Sequence, residues 1–217
     1  MKYLIIGDLH GQYEIVDKAA SKAEENNYGL VFVGDYLDSF NRTVEDQIRT
    51  LTTVLDLIES KKAIGLFGNH EMSYLDERKR CSGYNAATQA HIIHLESRMN
   101  DALISYIELE GFLITHAGVS DTFLKGWGAS LEDYLAKGAY DQVGAARGGW
   151  PGRAIGGLRW CDFNSEFTPI EGVKQVFGHT RGPLIREVDG NYCIDCLEDA
   201  EPQGLLIEDG KASVFKL

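Results

Sequence analysis

Tyr3-Leu4-Ile5-Ile6-Gly7-Asp8-Leu9-His10-Gly11 is a short apolar run that ends in a glycine-flanked aspartate and histidine. The same design returns four times. Residues 30–33 lead into Gly34-Asp35-Tyr36-Leu37-Asp38, and residues 63–67 into Gly68-Asn69-His70-Glu71. Residues 112–115 lead into His116-Ala117-Gly118, and residues 174–177 into Gly178-His179-Thr180. Strands that end this way hold Asp, Asn and His side chains at the tips of a rigid sheet. Two Asp, one Asn and three His make a hard-to-borderline donor set that suits a pair of divalent metals.

Between these islands the periodicity alternates between strand and helix. Residues 3–7 predict a strand. Residues 13–26 predict an amphipathic helix, with Ile15, Val16, Ala19, Ala20 and Ala23 at helical spacing. A second helix is expected over 43–60, capped by Thr43 with Asp46 three residues on, and its core stripe is Val44, Ile48, Leu51, Val54, Leu55 and Ile58. Strand–helix–strand order implies a parallel sheet at the start. Further on, one helix is expected over 86–100, a hairpin over 103–108 and 112–115 around Glu110-Gly111, and a glycine-rich loop over 144–157. Short strands are expected at 175–177, 191–195, 204–207 and 212–215. The predicted fold is α/β: two mixed β-sheets packed as a sandwich and flanked by helices, in a single domain over 1–217.

A chain of 217 residues with 44% hydrophobic content can bury a full core. Met1-Lys2 passes straight into a strand, which predicts no secretory leader, and no apolar run approaches the ~20 residues of a membrane helix. The expectation is a cytoplasmic protein without membrane contact. A net charge of −12 argues against a nucleic-acid backbone as the main partner. Cys81, Cys161, Cys193 and Cys196 form no disulfide framework, and the single CxxC of Cys193-Ile194-Asp195-Cys196 lacks the second pair that a closed zinc site needs.

Asp8 and His10 alternate along a strand end, so both are expected to face one site and grip one metal. Asp35 ends the neighbouring strand and can bridge to a second metal completed by Asn69, His116 and His179. Taken singly, a strand-end Asp reads as a turn former and a buried His as a satisfied core residue. Five islands holding four of the six histidines read as a site.

The motifs GDxHG, GDxxD, GNHE, HAG and GHT, in this order over residues 3 to about 195, resemble the calcineurin-like metallophosphoesterases. Within them the pattern is most similar to the phosphoprotein phosphatase branch, with its small bacterial and phage-type members and the symmetrical diadenosine tetraphosphatases. The resemblance implies the metallophosphatase fold and two divalent ions, manganese first, with iron or zinc as alternatives. Asp8, His10 and Asp35 would hold one ion, and Asp35, Asn69, His116 and His179 the other. It implies that hydroxide shared by the ions attacks phosphorus. It also implies that His70 is no ligand but the acid that protonates the leaving oxygen, oriented by Asp38. The expected substrates are phosphomonoesters, with phosphoserine or phosphothreonine in proteins ahead of small phosphorylated molecules. Diadenosine polyphosphate hydrolysis is the alternative, and a metal-binding module without catalysis a third reading.

The family's second island usually reads GDxxDRG, with an arginine that grips phosphate. Here Asp38 is followed by Ser39-Phe40-Asn41-Arg42. Arg42 is the leading substitute and Arg159, in the family-like segment Leu158-Arg159-Trp160-Cys161-Asp162, the second; Arg147, Arg153 and Arg181 are further candidates. His91 and His94 read as a solvated helix face. Trp127 reads as packing, and Trp150 as the tryptophan best placed to line a cleft.

Overall fold

Strand β1 (Tyr3–Ile6) shows how the layers arise. Successive side chains of a strand face opposite ways, and all three of its apolar residues are buried, so both faces are covered. Leu4 and Ile6 join one core with residues of helices α1 (Tyr13–Asn26) and α2 (Val44–Glu59), while Ile5 joins a second core. Strand β2 (Gly29–Phe32) repeats this, with Leu30 and Phe32 on the helix side and Val31 and Val33 on the other. The computed structural model describes residues 1–77, 80–136, 157–198 and 201–217.

The chain continues through β3 (Ile64–Gly65), α3 (Asn69–Leu75), α4 (Ala86–Ile92), α5 (Glu96–Ala102), β4 (Tyr106–Leu109), β5 (Phe112–Thr115), α6 (Asp121–Trp127) and α7 (Leu131–Ala136). It then runs through β6 (Gln175–Phe177), β7 (Arg186–Val188), β8 (Asn191–Cys193), β9 (Gln203–Glu208) and β10 (Lys211–Lys216). One five-stranded sheet has the order β10-β9-β1-β2-β3 and the other β4-β5-β6-β8-β7. Strands β1, β2 and β3 are parallel, as are β5, β6 and β8. Ile5, Val31, Leu205 and Ile207 from the first sheet meet Phe112, Ile114 and Val176 from the second. Leu113, on the opposite face of β5, packs with Phe123, Leu124 and Tyr134 of α6 and α7. The architecture is therefore helices, sheet, sheet, helices, as the patterning predicts. Truncating a buried Leu or Ile to Ala in such a core typically costs about 2–5 kcal/mol.

The predicted cap of α2 is present in both directions. Thr43 Oγ1 accepts the Asp46 N–H at 3.1 Å, and Asp46 Oδ2 accepts the Thr43 N–H at 3.2 Å. The helix expected over 86–100 is instead two helices, α4 and α5, separated by a turn. Ile92 and Met99, seven apart and both fully buried, sustain one helical stripe across the break, so periodicity did not reveal it. The strand expected over 103–108 begins only at Tyr106. Ile104 instead makes a lone parallel bridge to Leu66 as the chain passes between sheets. The glycine-rich loop over 144–157, with Arg147, Trp150 and Arg153, lies outside the described residues except for Gly157.

Candidate metal centre

The five islands follow β1, β2, β3, β5 and β6, so the parallel strands deliver them to one end of the sandwich. Their spacing along the chain is large, yet their polar atoms converge. Asp35 Oδ2 lies 3.4 Å from His116 Nε2, 3.8 Å from His70 Nε2 and 3.9 Å from His10 Nε2. Asn69 Oδ1 lies 2.9 Å from both His116 Nε2 and His179 Nδ1. Ligand atoms of His10, Asp35 and His70 lie within 4.8 Å of one another, as do those of Asp35, His116 and His179. Both oxygens of Asp8 accept the backbone N–H of His179, at 3.0 and 2.9 Å. Asp35 and His179, remote in sequence, share one cleft.

Tight turns bring the side chains inward. Asp8 and His10 lie beyond the end of β1, so strand alternation does not orient them as the sequence reading expects. His10, Asp35, Asp38 and His179 all have positive φ, from 41° to 68°. Non-glycine residues in that region cost of order 1–3 kcal/mol each and persist where their surroundings fix them. The neighbouring glycines have a spatial reason. A Cβ at Gly178 would overlap the Asp8 carboxylate, and one at Gly68 would overlap that of Asp35.

Ring orientations are set from behind. His10 Nδ1 lies 2.7 Å from the Leu37 carbonyl and His116 Nδ1 2.9 Å from that of Val33, which leaves each Nε2 for the cleft. His70 Nδ1 lies 2.8 Å from Asp38 Oδ2. The Tyr74 hydroxyl donates to the other Asp38 oxygen, and Asn85 N–H donates to the Tyr74 oxygen at 3.1 Å. Burial alone would lower the His70 pKa, but the Asp35 charge, the Asp38 hydrogen bond and Cys81 raise it well above the usual imidazole value.

Burial, and then the charges of Asp195 and Asp35, raise the Asp8 pKa well above the carboxylate range. Asp35 also suffers from burial, but the surrounding imidazoles outweigh it and hold its carboxyl well below that range. Among the described residues only imidazoles lie within ion-pair reach of Asp35. Crowded buried carboxylates call for a cation, and the oxygen and imidazole donors suit borderline divalent ions. The residues fit a metal pair.

Two groups in this neighbourhood were not assigned from sequence. Asp195 follows β8 and is buried; burial and the Asp35 charge push its pKa up to about 7. It lacks the flanking glycine of the other islands, although the strand-then-Asp pattern was there to be read. Glu71, the last residue of the GNHE island, is fully buried and accepts three backbone N–H groups.

The arginines are placed differently from one another. Arg42 Nη1 donates to Glu14 Oε1 at 2.8 Å on the partly exposed side of α1. Arg159 is buried, donates from Nη2 to Ser105 Oγ at 2.8 Å, and has its guanidinium 6.0 Å from the Phe67 ring beside the GNHE island. Arg181 pairs with Glu198. Trp160 stands edge-on to His179 with centroids 5.6 Å apart, while Trp127 packs on Phe123 and Tyr134. His91 and His94 are exposed. All four cysteines are free thiols, and among the described residues no helix is long and apolar enough to cross a membrane.

The chain belongs to the calcineurin-like phosphoesterase family, whose sequence model matches residues 1–183. It is 30% identical over 129 residues to a protein of Encephalitozoon cuniculi (strain GB-M1) named "Probable serine/threonine-protein phosphatase ECU05_0440". That match covers 56% of this chain and 27% of the relative, so the chain spans about a quarter of the relative's length. The fold is shared with a cold-active protein tyrosine phosphatase, at a TM-score of 0.63 and 17% identity over 98% of this chain and 78% of that one. It is also shared with a protein serine/threonine phosphatase from Saccharomyces cerevisiae, at a TM-score of 0.61 and 14% identity over 100% of this chain and 79% of that one.

Proposed function

We propose that this protein is a metal-dependent phosphomonoesterase acting on phosphoserine and phosphothreonine in proteins, in a cytoplasmic setting that keeps its cysteines reduced. Asp8, His10 and Asp35 would hold one divalent ion, and Asp35, Asn69, His116 and His179 a second, with manganese the first choice. Such a pair supplies Lewis acidity toward phosphoryl oxygens and a water acidified toward neutrality.

The observation that carries this reading is the His70–Asp38 pair. His70 Nε2 faces the metal cluster, 3.8 Å from Asp35 Oδ2, while Nδ1 is tied to Asp38 at 2.8 Å. A departing serine or threonine alkoxide needs a proton, and a ring held protonated by a carboxylate can give it from Nε2. Tyr74 and Asn85 hold Asp38 in register for that role. Glu71 fixes the turn that carries Asp35. Arg159 is the arginine we assign to the phosphoryl oxygens, because it is buried beside Phe67 whereas Arg42 is tied to Glu14.

The relative's printed name supports a protein substrate, at the 30% identity given by its matched region. The test compares turnover of a phosphoserine peptide, para-nitrophenyl phosphate and diadenosine tetraphosphate by manganese-loaded protein. Hydrolysis of the peptide and the aryl ester supports the proposal. Hydrolysis of the tetraphosphate alone would replace it with a nucleotide anhydride hydrolase.

A further inference from the structure

We propose that Asp38, His70 and Cys81 form a third metal site, separate from the proposed pair and suited to zinc, whose occupation disables His70 as a proton donor. Ligand atoms of these three residues lie within 4.8 Å of one another. Cys81 Sγ is 3.5 Å from His70 Nδ1, which in turn is 2.8 Å from Asp38 Oδ2. Tetrahedral zinc, with bonds of about 2.3 Å to sulfur and 2.0–2.1 Å to nitrogen or oxygen, separates its ligand atoms by about 3.3–3.6 Å. The sulfur–nitrogen spacing already fits, and the nitrogen–oxygen pair needs to open by only about half an ångström.

The cysteine is held there by the fold. Its N–H donates to Ser73 Oγ of α3 at 3.3 Å, and its thiol lies 3.9 Å from the Asn69 carbonyl. Two residues on, Gly83 has φ +92°, and a Cβ there would come within 2.9 Å of Asp38 Cβ. The turn at 81–83 is thus pressed against Asp38 in a way that a side chain would obstruct. Cys81 and His70 are both partly exposed, so a water can serve as fourth ligand.

The donor chemistry separates this site from the first. The proposed pair is held by nitrogen and oxygen alone, whereas a thiolate here favours zinc over manganese or magnesium. Binding releases the Cys81 thiol proton and the His70 Nδ1 proton to solvent. The ion then occupies Nδ1 and engages Asp38, so the ring is no longer the cationic acid that the leaving group needs. Binding itself stands on the three side chains; the regulatory consequence rests on the function proposed above.

Cobalt(II) is the probe for binding, because a cobalt–thiolate bond gives a near-ultraviolet charge-transfer band that nitrogen and oxygen ligands do not. Manganese-loaded wild-type protein titrated with cobalt should develop this band to one site per chain, zinc should abolish it, and Cys81→Ser should lack it. Excess zinc should lower turnover of an alkyl phosphate about 10²-fold more in wild-type protein than in Cys81→Ser, where exchange into the proposed pair is all that zinc can do. Thermal unfolding of the serine variant checks that it is folded. No band in wild-type protein overturns the site, as does a band that persists in Cys81→Ser and so belongs to another cysteine. Equal zinc inhibition of both proteins overturns the regulatory role. The band is read whether or not any ester is hydrolysed, so failure of the phosphatase reading is seen separately.

Discussion

Glu71 Oε2 accepts the backbone N–H of Asp35 at 2.9 Å, which fixes the turn at the centre of the metal cleft. The same oxygen accepts Gly68 N–H at 3.0 Å, and Oε1 accepts Tyr36 N–H at 2.8 Å. One buried carboxylate therefore joins the second island to the third. Glu71→Ala would strand three buried donors, each worth about 1–3 kcal/mol when left unpaired. We expect a loss of at least about 3 kcal/mol, and a melting temperature lower by roughly 6 °C or more for a chain of this size. Calorimetry of the metal-free variant checks this. An unchanged melting temperature would mean that water replaces the carboxylate without penalty.

His70→Asn should retain metal binding and lower kcat on alkyl phosphates by about 10²–10⁴-fold, the range of general acid catalysis. The loss should be much smaller for para-nitrophenyl phosphate, whose leaving group scarcely needs a proton. Equal losses on the two esters would place the action of His70 on the phosphate or the metals instead.

The pH profile follows from the same ring. Burial opposes protonation of His70, yet the charge of Asp35 and the bond to Asp38 raise its pKa well above the usual value. The acid form, and with it kcat for alkyl esters, should persist above the ordinary imidazole range and fall as pH rises through the raised pKa. Asp38→Asn removes one raising influence, so the alkaline limb should move to lower pH. Tyr74→Phe removes the hydrogen bond to Asp38, along with the acceptor of Asn85 N–H, and should reduce kcat by up to about tenfold, the equivalent of one ordinary hydrogen bond to Asp38. An alkaline limb unmoved by Asp38→Asn would show that another group sets it.

Arg159→Ala should raise KM and lower kcat/KM while sparing metal content, with Lys restoring only part because it cannot form the planar fork. Arg42→Ala should do far less, since it ends a partly exposed ion pair worth about 0–1 kcal/mol. Steady-state kinetics on both variants decides between them. The opposite ranking would return the phosphate clamp to Arg42.

The layers were legible because strands buried on both faces read as unbroken apolar runs, as Leu4, Ile5 and Ile6 show by dividing between two cores. The islands were legible because five of them recur at strand ends and gather four of the six histidines, although each alone reads as a turn. Helix α3 was not, since Asn69–Leu75 is only 7 residues and opens with Gly-Asn, which reads as a turn. Cys81 was read only as a reduced thiol because its approach to His70 depends on the turn at 81–83 lying against Asp38, a contact between residues far apart in sequence. Glu71 was read as part of a motif without a role, because its partners are backbone groups that no side-chain pattern records.

The most direct measurement is turnover of a phosphoserine peptide against the number of manganese ions bound per chain, for wild-type protein and Asp35→Asn. Asp35 faces His10, His70 and His116 at once, so it is the residue both proposed ions would share. Turnover should rise with loading and level off at two ions per wild-type chain, while Asp35→Asn should bind manganese poorly and hydrolyse nothing measurable. Full turnover in metal-free protein, or wild-type protein carrying two ions that leaves every phosphomonoester intact, would contradict the proposed dinuclear phosphatase.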